Sequence, residues 1–129
     1  MTTIDDLVAI REIEVLKAGY CRTIDRKDWD GLGARFAVDA ELHHGDNTIR
    51  GRDAIVEIIR STIGDALTAH CAHTPVLALT GATTATGHWG ALYTREGGPV
   101  GYGEYDESYV RGDDGCWQIA ESRLTTWFQ

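Results

Sequence analysis

Five histidines, an aspartate at the end of a helix and an arginine on the last strand are the residues of this 129-residue chain best suited to chemistry. Metal binding is the first chemistry to test. His43 and His44 adjoin on an expected strand, so their side chains point to opposite faces. His70 and His73 stand three apart in an extended segment and are likewise divided between faces. Neither pair has the His-Glu-x-x-His spacing that sets two ligands on one side of a helix, so no metal site is expected. Covalent chemistry finds no better support. There is no Gly-x-Ser-x-Gly elbow, and Cys21, Cys71 and Cys116 lie far apart without a CxxC pair. Gly97-Gly98-Pro99 reads as a hairpin turn, not as a phosphate loop leading from strand into helix.

Acid/base chemistry remains. Asp25 ends the first expected helix, Tyr20 lies on the apolar stripe of that helix, and His70 begins the first long strand. A histidine beside a carboxylate has its tautomer fixed and its imidazolium stabilised, which suits a general base near neutral pH. Spacing alone leaves ordinary roles open for both, a helix-end acid and a hydrogen-bonded strand histidine. Arg123 shares strand parity with Trp117 and Ile119, a face that reads as buried, where an arginine must be paired or line a cavity. By the same parity Trp127 is expected in the core. The acidic run Glu104-Tyr-Asp-Glu107 reads as a solvated strand face with one inward member.

The elements that must position these groups follow from periodicity. Leu7, Val8, Ile13, Leu16, Tyr20 and Ile24 recur at helical spacing from Ile4 to about Ile24, behind a cap formed by Thr3 and Asp6. A short second helix is expected over Leu32 to Ala37 with Phe36 inward, then a strand from Ala40 to His44. A third helix opens at Gly51-Arg-Asp53 with Asp53 as N-cap, and its stripe is Ile55, Ile58, Ile59, Thr62 and Ile63. Beyond Leu67 the pattern becomes extended. The segments 68–79, 85–95, 100–111 and 116–128 are separated by glycine-rich turns that read as hairpins. Along the first of these, Ala72, Thr74 and Val76 are expected to share the face of His70. Helices followed by a run of antiparallel strands define an α+β chain of one domain, residues 1–129. A strongly curved sheet partly filled by the three N-terminal helices leaves a pocket at its open end.

Composition narrows the partners. A hydrophobic share of 43% can bury a real core, and a net charge of −8 with scattered bases speaks against nucleic acid or an anionic membrane surface. Met1–Asp6 carries acids where a secretory signal carries bases, and no apolar run approaches the ~18 residues of a membrane span, so a cytoplasmic location is expected.

Taken together, the motifs resemble those of the SnoaL-like family in the nuclear transport factor 2-like superfamily, over nearly the whole chain. They are Tyr20 with Asp25, Asp28-Trp-Asp30, Phe36 with Asp39, Gly51-Arg-Asp-Ala-Ile55, His70-x4-Pro75, Thr84-Ala-Thr-Gly-His-Trp89, Gly103-x-Tyr105-x3-Tyr109-x-Arg111, Gly115-x-Trp117-x-Ile119 and Ser122-Arg-Leu124. The resemblance implies a cone-shaped α+β barrel and assembly as a homodimer or homotrimer. It also implies cofactor-independent elimination of water or HCl by a His–Asp pair, as in scytalone dehydratase, bile-acid 7α-dehydratase and hexachlorocyclohexane dehydrochlorinase. By position it assigns the dyad to Asp25 and His70, with Tyr20 and Arg123 as pocket neighbours and His44, Trp89 and Tyr105 as substrate contacts. The expected reaction is that of a lyase on a small hydrophobic, cyclic, polyketide- or steroid-like molecule. An isomerase or cyclase using the same pocket, or a non-catalytic binding or assembly module, stands as the alternative.

Overall fold

A computed structural model describes residues 1–129. Helix α1 spans Ile4–Asp25, and its start carries the expected capping box: Thr3 accepts from the Asp6 N–H while Asp6 accepts from that of Thr3. Its buried side is Ala9, Ile13, Leu16, Lys17, Tyr20, Cys21, Thr23 and Ile24, whereas Leu7 and Val8 are exposed, contrary to the stripe expected from period alone. The chain leaves α1 through Lys27, whose φ of 57° turns it sharply, and Asp28 then caps α2, Trp29–Ala34. Helix α2 therefore ends before Phe36, which begins strand β1, Phe36–His44. The fully buried Phe36 points inward as expected, from a strand and not a helix.

Strand β2, Asn47–Arg50, returns antiparallel to β1 and was not legible in the sequence. Its turn into α3, Arg52–Ile63, is made at Gly51, where a φ of 94° favours glycine. Gly51 is accordingly the N-cap, and Asp53 falls in the first turn instead. Four twelve-residue strands complete the chain: β3 Thr68–Leu79, β4 Thr84–Arg95, β5 Val100–Arg111 and β6 Trp117–Phe128.

The six strands form one sheet in the order β2-β1-β6-β5-β4-β3, with β2 and β3 as free edges. All neighbours are antiparallel except β1 and β6, so the sheet is mixed and not closed. This α+β architecture carries its core between the helices and one face of the sheet, around Ile13, Ile24, Leu32, Phe36, Ile55, Tyr109 and Ile119. No helix is long and apolar enough to cross a membrane.

Bulges decide which side chains reach that face. On β6 the pairing passes from Tyr109↔Ile119 to Ser108↔Glu121, which leaves Ala120 as an extra residue. Inward parity shifts there from Trp117 and Ile119 to Ser122 and Leu124. Arg123 is thereby turned to the outer, exposed face, which corrects the buried position expected for it. A second irregularity leaves Trp127 unpaired and 60% exposed, so it is not a core residue. On β3 a shift between His73 and Val76, with Thr74 at a φ of 49°, likewise removes Val76 from the face of His70.

Candidate active site

Asp25 and His70 meet where the last turn of α1 packs against the start of β3. Asp25 Oδ1 lies 2.7 Å from His70 Nδ1 and accepts from Thr68 Oγ1 at 2.9 Å. Oδ2 accepts from the His70 backbone N–H at 3.0 Å. With Nδ1 engaged by a carboxylate, it carries the ring proton and Nε2 is left as the acceptor. The imidazole stacks on the Tyr93 ring, 6.4 Å between centroids and 19° between planes, because His70 and Tyr93 are register partners across β3 and β4.

His70 lines a cavity of about 760 Å³. Its walls are mostly apolar: Ile24 from α1, Leu42 and Ile49 from β1 and β2, Ile58, Ile59 and Ile63 from α3, and Leu124 from β6. The partial exposure of the α3 stripe is thus exposure to this cavity. Tyr20 and Tyr105 meet edge to face in the wall, with ring centroids 5.9 Å apart. Burial raises both phenols well above their ordinary range, so each stays protonated and able to donate a hydrogen bond. At the rim, His44 Nε2 lies 3.5 Å from Thr126 Oγ1, which is 2.5 Å from the Tyr93 hydroxyl. Arg95 is the arginine of the cavity, and its guanidinium donates weakly, at 3.4 Å, to the Thr62 and Ile63 carbonyls.

Beneath the tyrosines lies a charged pair that the sequence did not reveal. Lys17 Nζ donates to Glu107 Oε2 at 2.8 Å with both side chains fully buried. Ser122 donates to the same oxygen at 2.6 Å, and the Tyr109 hydroxyl donates to Oε1 at 2.7 Å. Trp89 Nε1 donates to the Tyr109 oxygen in turn. The ammonium also sits 3.4 Å from the Tyr105 ring centroid and 4.0 Å from that of Tyr20. Glu107 is therefore the inward member of the acidic run, and Lys17 lies on the buried side of α1 among apolar neighbours. A lysine at a stripe position and an acid at an inward strand position were the only available signals.

The structure thus gathers Tyr20, His44, His70 and Tyr105 around one cavity, with Asp25 immediately behind His70. Trp89 is buried in the core and does not line it, and Arg123 lies on the other face of the sheet. His43, His73 and His88 are also outside it, and His88 pairs with Asp106 across β4 and β5. Tyr93, Thr68 and Thr126 were missed. Tyr93 could have been found from its parity with Ala85, Trp89 and Ala91 on β4.

Comparison with known proteins identifies the family and the fold. The chain belongs to the SnoaL-like domain family, whose model matches residues 5–123. Among solved structures it resembles a function-unknown protein from Mycobacterium tuberculosis (28% identity, TM-score 0.88, covering 98% of this chain and 76% of that one). It is also similar to a putative scytalone dehydratase from Novosphingobium aromaticivorans, at 26% identity and a TM-score of 0.86 over 95% of this chain and 87% of that one. A hexachlorocyclohexane dehydrochlorinase from Novosphingobium barchaimii shares the fold, with 18% identity and a TM-score of 0.86 over 98% and 92% of the two chains.

Proposed function

We propose that the protein is a cofactor-independent lyase that eliminates water or a halide from a compact hydrophobic, cyclic substrate. The observation that carries this reading is the Asp25–His70 contact at 2.7 Å on the wall of an apolar cavity. His70 Nε2 takes a proton from a carbon of the substrate, and the C–H electron pair becomes the new double bond. The leaving group departs with its own bonding pair. Asp25 balances the imidazolium charge, and the protonated Tyr20 donates to the leaving or carbonyl oxygen. A hydroxyl leaving group takes up the proton that His70 removed from carbon and departs as water, whereas a halide leaves as the anion and the imidazolium proton goes to solvent.

The volume falls within the ordinary range for small-molecule pockets, and the isoleucine walls suit a ring system with one polar end. Among the dehydratase- and dehydrochlorinase-named relatives, such chemistry is the common theme. The two adjacent phenols, Tyr20 and Tyr105, also suit an enolate with no leaving group, which is the case for an isomerase or cyclase. Exposed apolar side chains such as Val76, Tyr102 and Trp127 support self-assembly as a dimer or trimer, which light scattering on the purified protein resolves.

The test begins with compounds that co-purify from the host, identified by native mass spectrometry, and continues with turnover of β-hydroxy-carbonyl and halogenated cyclic analogues. Elimination releases water or halide, while isomerisation conserves mass. His70→Ala is expected to lose ~10²–10⁴ in rate with ligand binding retained. Undiminished turnover in that variant, or ligand binding without any turnover in the native protein, overturns the proposal.

A further inference from the structure

On the outer face of the sheet, opposite the cavity, Glu41 and His43 of β1 meet Glu121 of β6. Alternation puts Glu41 and His43 on one side of β1. The bulge at Ala120 brings Glu121 to the same side of β6, where Glu41 and Glu121 are direct register partners. Like charges placed directly opposite on neighbouring strands repel each other. Here the two carboxylates converge on one imidazole. His43 Nε2 is 3.4 Å from Glu41 Oε2 and 3.2 Å from Glu121 Oε1. His43 is only 9% exposed, and this nitrogen is buried with no hydrogen bond to anything in the chain.

We propose that Glu41, His43 and Glu121 bind a divalent transition-metal ion of the zinc type. Three observations carry the assignment. The first is the orphaned Nε2, aimed between two carboxylate oxygens and not along a hydrogen bond to either. The second is spacing. An ion ~2.0–2.1 Å from nitrogen and ~2.0–2.2 Å from oxygen, with tetrahedral angles, holds its ligand atoms roughly 3.3–3.5 Å apart. Both nitrogen–oxygen separations fall close to that edge length, and the three donor atoms lie within 4.8 Å of one another. The third is the outer shell. His43 Nδ1 is 2.9 Å from Thr48 Oγ1, which fixes the ring and turns the Nε2 lone pair toward the carboxylates. Arg50 Nε donates to Glu41 Oε1 at 3.2 Å, leaving Oε2 for the ion.

One imidazole and two carboxylates are a ligand set for Zn²⁺ and its neighbours, and not for Mg²⁺ or Ca²⁺, which take oxygen shells. Glu121 is half exposed, so water completes the coordination. The ion fastens β1 to β6 at the parallel seam of the sheet and takes no part in the chemistry of the cavity.

The test uses the whole protein after treatment with a chelator. Co²⁺ is titrated and monitored by its visible absorption, Zn²⁺ is used to displace it, and melting is recorded with and without Zn²⁺. One saturable ion per chain is expected, with a higher melting temperature. His43→Gln and Glu121→Gln should each weaken binding by ~100-fold or more and abolish the thermal shift, and Thr48→Val should weaken it by about 10-fold. Glu121→Gln changes a half-exposed side chain and keeps the test valid if His43→Gln does not fold. His70→Ala should bind the ion as the native protein does, which separates this proposal from the lyase reading. Absence of saturable binding, or binding unaltered in both Glu121→Gln and His43→Gln, overturns it.

Discussion

Asp25 grips His70 at two points, its ring through Oδ1 at 2.7 Å and its backbone N–H through Oδ2 at 3.0 Å. This double hold makes Asp25→Asn a sharper test than truncation. An amide has one acceptor oxygen, so whichever way it turns, its NH₂ faces either the imidazole N–H or the backbone N–H. Turned toward the ring, it forces the other tautomer and puts a proton on Nε2. Asp25→Asn is expected to lower turnover by ~10²–10⁴-fold and to cost about 1–3 kcal/mol of stability. Steady-state kinetics with chemical denaturation measures both, and full activity with unchanged stability refutes the relationship.

Lys17→Met should be among the most destabilising single changes. It removes the cation from a fully buried carboxylate, and such breaks typically cost about 3–5 kcal/mol. The double variant Lys17→Met/Glu107→Gln carries no buried charge and is expected to recover most of the loss, because Ser122 and Tyr109 can still hydrogen-bond position 107. A double-mutant cycle in urea measures the coupling. A Lys17→Met midpoint equal to that of the native protein contradicts this account.

Alkaline pH should destabilise the fold. Burial, which outweighs the opposing field of Lys17, pushes the Cys21 thiol from 9.0 up to about 11. The native state therefore holds this proton while the unfolded chain releases it, and stability falls as pH rises from 9 through 11. Tyr20, Tyr105 and Tyr109, all raised by burial, extend the loss above pH 10. Cys21→Ala should remove the part that begins near pH 9 and keep the part set by the tyrosines. Denaturation at stepped pH tests this, and a flat profile between pH 8 and roughly 11 contradicts it. Under native conditions iodoacetamide should modify exposed Cys71 and Cys116 and spare Cys21.

Arg123→Ala is expected to leave turnover unchanged and to shift stability by no more than about 0.5 kcal/mol, since the side chain is exposed on the outer face. A rate loss above tenfold, measured beside His70→Ala, reveals a role that this position does not explain.

Gly103→Ala should be severe for a steric reason. A Cβ there stands 2.0 Å from the Thr125 carbonyl oxygen of the adjoining strand, which is backbone and cannot swing aside. A loss of about 1–3 kcal/mol is expected from thermal or urea unfolding, with no loss indicating a strand able to shift.

Much of this was legible from alternation and capping. Thr3 and Asp6 announced the start of α1, and the glycine-rich turns separated the four long strands to within a residue. Residues that alternation alone placed wrongly lie beyond bulges: Val76 after the turn of Thr74, Arg123 after Ala120, and Trp127 at the end of β6. A bulge depends on how two strands pair, and no local pattern in either strand reveals it. The parallel seam between β1 and β6 was hidden for the same reason. Lys17 and Glu107 were obscured because each reads as a solvent residue until the other, ninety positions away, is placed beside it. His70 and Asp25 could be nominated by residue type, but their contact across forty-five positions is a product of the fold.

The single surplus residue at Ala120 has a consequence for how a chain of this shape can change. A strand has two faces, and membership of either is set by counting. Pairing Ala120 into regular alternation, with the bulge ironed out, reverses the phase of the rest of β6, sending Arg123 inward and turning Ser122 and Leu124 to the outside. In one step the cavity exchanges a leucine for a guanidinium, Glu107 loses the hydroxyl donor that Ser122 supplies, and Glu121 leaves His43. The bulged pairing at this point, as much as the identity of the residues, sets the polarity of the cavity wall.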